Sequence, residues 1–429
     1  MKELKLILIG GGDRGSSYLK YLDLNPGKFK LVAIAEPVDA KRNFLGDKYG
    51  VPENMRFESY ENLLEMDKIA DIAMICTQDK MHFAPAMLAI EKKYDLLLEK
   101  PIAPTPEECY KVAESAKRNG VKVLVGHVLR YTPFYKAIKN FIADGKLGDV
   151  VNIMHAEDVG LTNMSHSFVR GNWRKEDESA PMLLAKCCHD TDLVQWFIGE
   201  PCTKVQSVGM RSYFCEAYKP EGAPKRCLDG CPHKDTCFFY APKFYRIDTA
   251  EMQHFRAIVA NKFDPTFEEI DEVLETSPYG RCVFQCDNDV VDHQIVNMQF
   301  GENKLVSFTM SPFGRGDRTT TIMGTKGQIR ADMEEQSIEF YEFATMKTYS
   351  IYKADSNFDH TIAGGHGGGD MGIMDDLYDY VAENKMSMSV SDADVSCMSH
   401  LICFAAEKSR ASDTVVHMKD YVDSLQKKF

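Results

Sequence analysis

The segment LKLILIGGGDRG, Leu4–Gly15, joins a short apolar run to a glycine-rich turn and decides the fold of the first part of the chain. Apolar residues fill nearly every position of Leu4–Ile9, and turn residues bound it, which is typical of a buried strand. A helix is predicted to begin at about Asp13 and to run to Tyr21. The glycines therefore lie in a strand-to-helix turn.

The glycines of this turn have separate physical roles. Gly10 permits the tight turn, Gly12 lets the backbone approach a pyrophosphate, and Gly15 lets the helix pack closely against the strand. The start of the helix, at Asp13 and Arg14, presents free N–H groups and the positive end of the helix dipole to phosphates. The spacing therefore predicts a dinucleotide-binding site.

A second apolar strand leads to the acidic residue that such a site uses. Residues 29–35, FKLVAIA, predict this strand, and Glu36 lies at its end. A carboxylate at this place accepts hydrogen bonds from ribose hydroxyls and repels a 2′-phosphate, which favours NAD over NADP. The alternative is a glycine turn in another kind of α/β protein, and the order of strand, turn, helix, strand and acid argues against it.

The composition is that of a globular protein long enough for two domains. The 429 residues are 44% hydrophobic and 27% charged, with a net charge of −13. The negative charge argues against a nucleic-acid partner or an anionic membrane surface, and no apolar run is long enough to span a bilayer. Thirteen cysteines behind an N-terminus that does not resemble a signal peptide predict reduced thiols and a cytoplasmic protein.

Strands and helices alternate over the first part of the chain. DIAMIC at 71–76, DLLL at 95–98 and Val121–Val125 predict further strands, and Thr105 is the expected cap of a helix over Pro106–Asn119. This alternation predicts a doubly wound parallel sheet with ligands bound beyond the carboxyl ends of its strands. The polar residues expected to line that crevice are Thr77, Gln78, Asp79, His82, Glu99, Lys100 and His127.

The pattern changes after about Arg130. A strand near Val150–Glu157 and a helix around Pro181–Ile198 precede period-2 segments typical of antiparallel strands. The predicted hairpins are His293–Phe300 with Lys304–Met310 and Thr319–Met323 with Gln328–Ala331. Ser337–Phe343 and Lys347–Tyr352 are predicted to extend the set of strands. Helices over Gly369–Asn384 and Ser391–Ser412, a short strand and a terminal helix are expected to close the chain.

We therefore expect two domains. Residues 1–130 are predicted to form the α/β nucleotide-binding domain, and residues 131–429 an α+β domain with a large, mainly antiparallel open sheet for substrate binding and oligomerisation. One face of that sheet must be covered by helices or by a partner subunit. A homo-dimer or homo-tetramer is expected.

Four motifs occur in an order that resembles a known family: the glycine turn, EKP at Glu99–Pro101, HVLRY at His127–Tyr131 and CCHDTDL at Cys187–Leu193. The chain resembles the Gfo/Idh/MocA family of NAD(P)-dependent oxidoreductases over nearly its whole length. The resemblance implies a Rossmann domain, an open-sheet domain and hydride transfer at a carbon of a sugar or polyol.

Oxidation of an alcohol by NAD needs a base for the hydroxyl proton and a cation for the developing alkoxide charge. Lys100 can supply the cation, because it follows a buried strand and precedes a rigid proline. In the resembled family the lysine at this place is catalytic. The alternative is a solvated lysine on a loop.

His189 is the candidate acid–base, since imidazole titrates nearest neutrality. Lys186 shares its predicted helix face and is expected to assist proton transfer or to bind an anionic group of the substrate. The family usually has an aspartate four residues before this histidine, and here that position is Ala185. Asp190 or Asp192 could orient His189 instead, and a structural histidine between the domains is the alternative.

Further residues are predicted to contact cofactor or substrate. Trp173 and Arg174 match a pair that contacts the cofactor in relatives, although the tryptophan could equally be packing. The stretches CDNDVVDHQ at 286–294 and HGGGD at 366–370 are pocket walls or ordinary turns. The substrate-binding candidates are Arg130, Asp190, Asp287, His293, His366 and Asp370. The cofactor-binding candidates are Gly10, Gly12, Asp13, Arg14, Gly15, Glu36, Thr77, His82, Glu99, Lys100, His127, Trp173 and Arg174.

A cysteine-rich loop is a candidate metal site. Cys227, Cys231 and Cys237 lie close in sequence, and their spacing allows thiolates to converge on one Zn²⁺ with His233 or Cys215 as the fourth ligand. Fe–S ligation is less favoured. A loop of reduced cysteines fits equally well, because a second pair at proper spacing is missing.

Three functions are compatible with these features. The first is an NAD-dependent dehydrogenase acting on a sugar, glycoside or cyclic polyol, with Lys100, His189 and Lys186 as catalytic candidates. The second is an NAD-dependent glycoside hydrolase or lyase, in which oxidation is transient and elimination cleaves the bond. The feature that supports this second function is the large number of acidic residues and histidines after residue 130. The third is a non-catalytic NAD-binding sensor.

Overall fold

Two sheets organise the chain, for which a computed structural model describes residues 2–262, 264–353 and 366–428. The first sheet has six strands, all parallel. The second has nine and is mainly antiparallel. This confirms the predicted combination of a doubly wound parallel sheet with a large, mainly antiparallel sheet.

The first sheet has the strand order β3-β2-β1-β4-β5-β6. Its strands are β1 (Leu4–Ile9), β2 (Phe29–Ala35), β3 (Arg56–Phe57), β4 (Ile72–Ile75), β5 (Asp95–Leu98) and β6 (Val123–Val125). Its helices are α1 (Asp13–Leu24), α2 (Asp39–Lys48), α3 (Tyr60–Glu65), α4 (Phe83–Glu91) and α5 (Pro106–Asn119). Successive strands are added to one side of β1 up to β3 and to its other side from β4 onwards, so the ligand crevice of this sheet opens between β1 and β4, beyond Ile9 and Ile75.

Helix α5 begins and ends where the sequence predicts. The Thr105 side chain accepts a hydrogen bond from the Glu108 N–H, and Gly120 ends the helix with φ +63°. Strand β1 is buried at every position except Lys5, as expected for a strand covered on both faces.

The second sheet has the order β14-β13-β12-β11-β7-β10-β9-β8-β15. Its strands are β7 (Val150–Asp158), β8 (Cys202–Met210), β9 (His293–Phe300), β10 (Lys304–Ser311), β11 (Arg318–Gly324), β12 (Gly327–Asp332), β13 (Ser337–Glu342), β14 (Lys347–Lys353) and β15 (Val416–His417). Among the described strands of this sheet, only β7 and β10 pair in parallel. The two predicted hairpins are present as β9–β10 and β11–β12, and the two further predicted strands pair antiparallel as β13–β14.

The helices of this second part lie between and after its strands. They are α6 (Pro133–Ala143), α7 (Leu161–Asn163), α8 (Met182–Ala185), α9 (Cys188–Ile198), α10 (Ala241–Phe244), α11 (Ala250–Ala260), α12 (Phe267–Thr276), α13 (Gly369–Glu383), α14 (Ala393–Ser412) and α15 (Met418–Gln426). A π-helical segment, Met164–Arg170, follows α7. The division near residue 130 stays a prediction and lies in a short 3₁₀ turn, Val128–Tyr131.

The predicted helix over Pro181–Ile198 is two helices. It is interrupted at Lys186 and Cys187, between α8 and α9. The interruption leaves the Ala185 carbonyl without a partner from the following turn, and a side chain from the first sheet, that of Lys100, donates to it instead. Sequence periodicity did not predict this break, because the apolar spacing continues through it.

Residues 211–292, here called the cysteine lobe, connect β8 to β9 and carry three helices that the sequence analysis did not predict. Helix α12 begins with a capping box formed by Thr266 and Glu269, a local signal that could have located it. The lobe has a small core of its own, built around Phe244, Tyr245 and Leu274.

The outer face of the second sheet exposes apolar side chains. Val208, Met210, Ile295, Met154 and Leu305 are each about half exposed on neighbouring strands. Across residues 2–262, 264–353 and 366–428, none of the helices combines the length and the apolar character that crossing a membrane requires.

Candidate active site

The glycine turn is shaped for a dinucleotide phosphate. Gly10 has φ +94°, and a Cβ there would lie 2.6 Å from the Cys76 carbonyl oxygen. A Cβ at Gly15 would lie 2.3 Å from the Gly10 oxygen, whereas one at Gly12 would meet nothing within 4 Å. The turn is therefore closed towards the protein and open at Gly12, next to the N-terminus of α1.

Glu36 is held against this turn. Its carboxylate is 6% exposed, and its two oxygens accept hydrogen bonds from the Gly11 N–H at 2.7 Å and the Val38 N–H at 3.0 Å. The acid therefore occupies the end of β2 beside the turn, as the sequence predicts for a ribose-binding group.

Glu99 fixes the backbone before Lys100. Its carboxylate accepts from Arg14 Nε at 2.8 Å, from the Tyr18 hydroxyl at 2.6 Å and from the Lys100 N–H at 3.0 Å. Burial acts to raise the pKa of Glu99, but the charges of Arg14 and Lys100 hold that pKa below its ordinary value. Glu99 is therefore a buried anion that ties the glycine turn to the EKP motif.

The same arginine reaches the HGGGD motif. Arg14 Nη2 lies 2.7 Å from Asp370 Oδ1, and the other carboxylate oxygen lies 3.1 Å from Nη1. His366 Nδ1 is hydrogen-bonded to Asp370 at 3.1 Å. The structure thus brings His366 and Asp370, two of the predicted substrate-binding residues, to the crevice side of α1.

Lys100 spans from the first sheet to the second part of the chain. Its Nζ donates a hydrogen bond to the Ala185 carbonyl at 2.9 Å. Ala185 is the position where the resembled family usually has an aspartate, so a backbone oxygen is the group that meets the ammonium here. His189, four residues later, lies in the first turn of α9.

His189 is a buried histidine close to Lys100. It packs edge-on against His127, with ring centroids 5.7 Å apart, and is 8% exposed. Burial lowers the pKa of His189 well below its ordinary value, and the positive charge of Lys100 lowers it further. His189 is therefore neutral at neutral pH and able to accept a proton.

The ring nitrogens of His189 differ in their surroundings. Neither nitrogen is hydrogen-bonded to any residue that the structure describes, and only Nδ1 is fully buried without a partner. His127 has both ring nitrogens buried without a hydrogen bond among the described residues, and its Nε2 lies 3.8 Å from Asp192 Oδ1.

Asp190 and Asp192 have other partners. Asp190 Oδ1 lies 2.9 Å from His155 Nε2 and accepts from Arg318 Nε at 2.8 Å. Asp192 accepts two hydrogen bonds from Arg130, at 2.5 and 2.6 Å. Both carboxylates are buried, and within the described ranges neither is hydrogen-bonded to His189. Asp190 and Arg130 thus enter the site as members of buried ion pairs, and their predicted contact with substrate stays a prediction.

Lys186 belongs to a network that the sequence analysis missed. Its Nζ lies 3.2 Å from Glu157 Oε1, and Arg318 Nε lies 2.7 Å from the other oxygen of that carboxylate. Glu157 and Arg318 face each other across β7 and β11. The only sequence signal for Glu157 is its place near the end of a predicted strand.

Two predicted cofactor contacts are hydrogen-bonded within the protein. The ring nitrogens of His82 are bonded to the Pro101 carbonyl at 2.6 Å and the Thr77 carbonyl at 3.0 Å, so His82 fixes the ends of β4 and β5. Trp173 Nε1 donates to Asp79 at 2.9 Å. Trp173 therefore brings its loop to the carboxyl end of the first sheet.

Three further candidates have polar partners of their own. Arg174 Nε donates to Asp287 at 2.9 Å, and Arg281 pairs with the same carboxylate. His293 is hydrogen-bonded to Asp292 at 2.7 Å. Among the described residues, no hydrogen bond or ion pair joins these side chains to the residues around Lys100.

The predicted zinc ligands have a common location but no preformed metal geometry. Cys227, Cys231 and Cys237 line one small cavity. His233 also lines it but is hydrogen-bonded through Nε2 to a carbonyl at 2.7 Å, and Cys215 is turned to a different carbonyl. In the described parts of the chain, no three His, Cys, Asp or Glu side chains stand ready to hold a metal ion.

Comparison with known proteins agrees with this geometry. Residues 4–127 match the oxidoreductase family, NAD-binding Rossmann fold, and residues 139–416 match the oxidoreductase family, C-terminal alpha/beta domain. YteT of Bacillus subtilis (strain 168) is 26% identical over 341 residues, which are 75% of this chain and 74% of YteT.

Two further proteins are similar over different extents. Inositol 2-dehydrogenase of Salmonella typhimurium is 24% identical over 198 residues, which are 46% of this chain and 55% of that enzyme. The chain thus matches about half the length of that relative. The structure of levoglucosan dehydrogenase with NADH and levoglucosan superposes with a TM-score of 0.69 at 17% identity, covering 97% of this chain and 99% of the other. That likeness concerns the fold.

The two family matches together span most of the chain, and they divide it into the same two parts as the two sheets. The chain belongs to the Gfo/Idh/MocA family of oxidoreductases, with an NAD-binding Rossmann domain.

Proposed function

We propose that the protein is an NAD-dependent dehydrogenase that oxidises a hydroxyl group of an uncharged sugar, glycoside or cyclic polyol. The observation that supports this most directly is the hydrogen bond from Lys100 to the Ala185 carbonyl, four residues before His189. The Lys100 ammonium donates this bond at 2.9 Å. Its positive charge adds to the larger effect of burial in lowering the pKa of the His189 imidazole. A cation and a neutral base at one place are what alcohol oxidation requires.

The dinucleotide would be held by the glycine turn and Glu36. Gly12 leaves room for the pyrophosphate at the start of α1, and the Glu36 carboxylate stands ready for ribose hydroxyls. When bound, NAD supplies the acceptor for the hydride. The protein's own task is then to take the proton and to stabilise the charge left on oxygen.

The roles follow from the two environments. His189 Nε2 accepts the hydroxyl proton, which its neutral state at neutral pH allows. Lys100 donates a hydrogen bond to the oxygen as its negative charge develops, and the bond to Ala185 orients the ammonium beforehand. Glu99 holds the Lys100 backbone through its N–H.

The charge distribution favours a neutral substrate. Lys186, which the sequence offered as a binder of anionic groups, is already paired with Glu157 at 3.2 Å. Arg318 is paired with Glu157 and Asp190. These cations are thus balanced by carboxylates, and Lys186 is proposed to contact hydroxyl groups. The similarity to an inositol dehydrogenase and, in fold, to levoglucosan dehydrogenase supports the same substrate class.

The test is a panel of sugars, glycosides, inositols and uronic acids, assayed for NADH formation and for cleavage of the glycosidic bond. A dehydrogenase accumulates NADH with at least one neutral polyhydroxy compound. Cleavage of an aryl glycoside without NADH accumulation would instead identify the redox-cycling hydrolase or lyase. NAD binding without either reaction across the panel would favour a sensor.

The expected homo-oligomer stays part of the proposal. Val208, Ile295 and Leu305 are half exposed on one sheet face, and apolar patches of this kind mark contact surfaces. Light scattering at several protein concentrations gives the subunit number, and a monomer at all of them would contradict it.

A further inference from the structure

A cluster of thiols in the cysteine lobe has no part in the redox proposal. Cys227, Cys231, Cys237 and Cys282 line the same small cavity. Cys227 is buried and the other three are partly buried, and all four are free thiols. Local spacing indicates Cys227, Cys231 and Cys237 as neighbours, whereas Cys282 lies far away along the chain.

The backbone holds two of these cysteines side by side. Arg226 and Arg281 form an antiparallel bridge, and the residue after each of them is Cys227 or Cys282. The N–H groups of these two cysteines donate across the bridge, each at 2.9 Å. The second pair, which spacing alone did not provide, is thus created by the fold.

A buried positive charge lies beside the thiols. The Arg170 guanidinium is fully buried, and its Nη2 lies 3.7 Å from Cys227 Sγ. Its other hydrogen bonds go to the carbonyls of Phe239 and Arg281. Within the described residues no carboxylate pairs with Arg170, and its Nη1 has no partner. A buried cation requires an anion nearby, and in this structure the neighbouring groups able to become anionic are thiols.

We propose that Cys227, Cys231, Cys237 and Cys282 bind one Zn²⁺ as four thiolates, with Arg170 as the buried counter-charge. Four S–H protons leave as four Zn–S bonds of about 2.3 Å form, and no atom changes oxidation state. The resulting centre carries two net negative charges, which Arg170 partly balances. Because the present side-chain positions do not form a metal site, binding requires the thiols to rotate towards the cavity centre.

Zinc would stabilise a part of the chain with little core of its own. The apolar cluster of the lobe includes Cys227 itself and a few residues of α10–α12, and small cores of this kind usually need a metal or disulfide. The lobe also contacts the nucleotide-binding side. His254 Nδ1 lies 3.6 Å from Asp13 Oδ1, and Lys41 Nζ donates to Asn261 at 2.7 Å. The proposed zinc thus holds the element that covers the first turn of α1.

The test is elemental analysis of the full-length protein, purified without added metal. The expected result is about one Zn²⁺ per chain, released together with thiol reactivity when the protein is treated with a thiol-specific mercurial. Mass spectrometry after alkylation should find the four cysteines protected before release and reactive afterwards. These measurements on the wild-type protein do not depend on any variant folding.

Matched variants sharpen the result. Cys282→Ser is expected to lose most of the zinc, whereas Cys286→Ser, four residues later and outside the cavity lining, should keep it. Folded protein without zinc, iron in place of zinc, or a disulfide between any two of the four cysteines would each overturn the proposal. The proposed dehydrogenase activity stands or falls separately, in the NADH assay.

Discussion

Two clusters of buried carboxylates and cations flank the crevice, and they are built in different ways. On the side of the first sheet, Arg14 joins Glu99 and Asp370, and each of these three residues lies within a contiguous motif. On the side of the second sheet, Glu157 joins Lys186 and Arg318, which come from a strand, a helix break and another strand. The first cluster fixes the backbone around a cofactor turn, whereas the second is assembled by strand register.

Lys100 connects the two sides, so its replacement should have the largest effect. Lys100→Met removes the ammonium near the reacting oxygen and the bond to Ala185, and kcat is expected to fall about 10³-fold with NAD affinity retained. Steady-state kinetics and calorimetric titration of NAD measure the two quantities. Lys20→Met, at an exposed lysine of α1, is the control. A variant of Lys100 with nearly normal kcat would remove this residue from the chemistry.

The next largest effect is expected at His189. His189→Asn removes the base and should lower kcat/KM about 10²-fold. Burial first, and then Lys100 and His127, lower the pKa of His189, so the wild-type enzyme should stay active as pH falls through about 6.5, the ordinary histidine value. Activity is lost only below that, where the imidazole becomes protonated.

The same pH profile measures how strongly the two sides are coupled. Removing the positive charge in Lys100→Met should move the acidic limb of the residual kcat/KM profile upwards, since that charge opposes protonation of His189. An acidic limb that does not move would show that the two side chains do not interact.

Breaking the second cluster should cost stability. Glu157→Gln removes the negative charge that neutralises the largely buried cations Arg318 and Lys186. The free energy of unfolding is therefore expected to fall by about 3 kcal/mol. Urea denaturation measures this, with the exposed Glu334→Gln as control. An unchanged midpoint would mean that solvent compensates these cations and that the cluster is not a structural unit.

The smallest effect concerns cofactor choice on the first side. Glu36→Ala removes a carboxylate that would bind ribose hydroxyls and repel a 2′-phosphate, so NAD affinity should fall about tenfold while NADP affinity rises. Titration with both nucleotides tests this. The same preference in variant and wild type would exclude Glu36 from discrimination.

The comparison of the two sides also explains what could be predicted from the sequence. The glycine turn, Glu36 and Lys100 each come directly after a strand. Local sequence patterns predict where those strands end, so the positions of these residues could be predicted. Even the cap at Thr105 was predicted correctly. These features depend on residues that are neighbours along the chain.

The rest depends on contacts between distant residues. Arg318 reaches Glu157 only because β11 pairs with β7, and Cys282 meets Cys227 only through an isolated bridge. The break between α8 and α9 lies inside a continuous apolar pattern, so periodicity could not locate it. In each case the deciding contact joins residues that only folding brings together, so no local sequence pattern indicates it.

The most direct test of the central claim is a crystal structure of the protein with NAD and a polyol that it oxidises. We predict that the substrate hydroxyl lies within hydrogen-bond distance of both Lys100 Nζ and His189 Nε2, with its carbon facing the nicotinamide. A substrate bound away from either side chain, or a nicotinamide ring outside the crevice between them, would contradict the account.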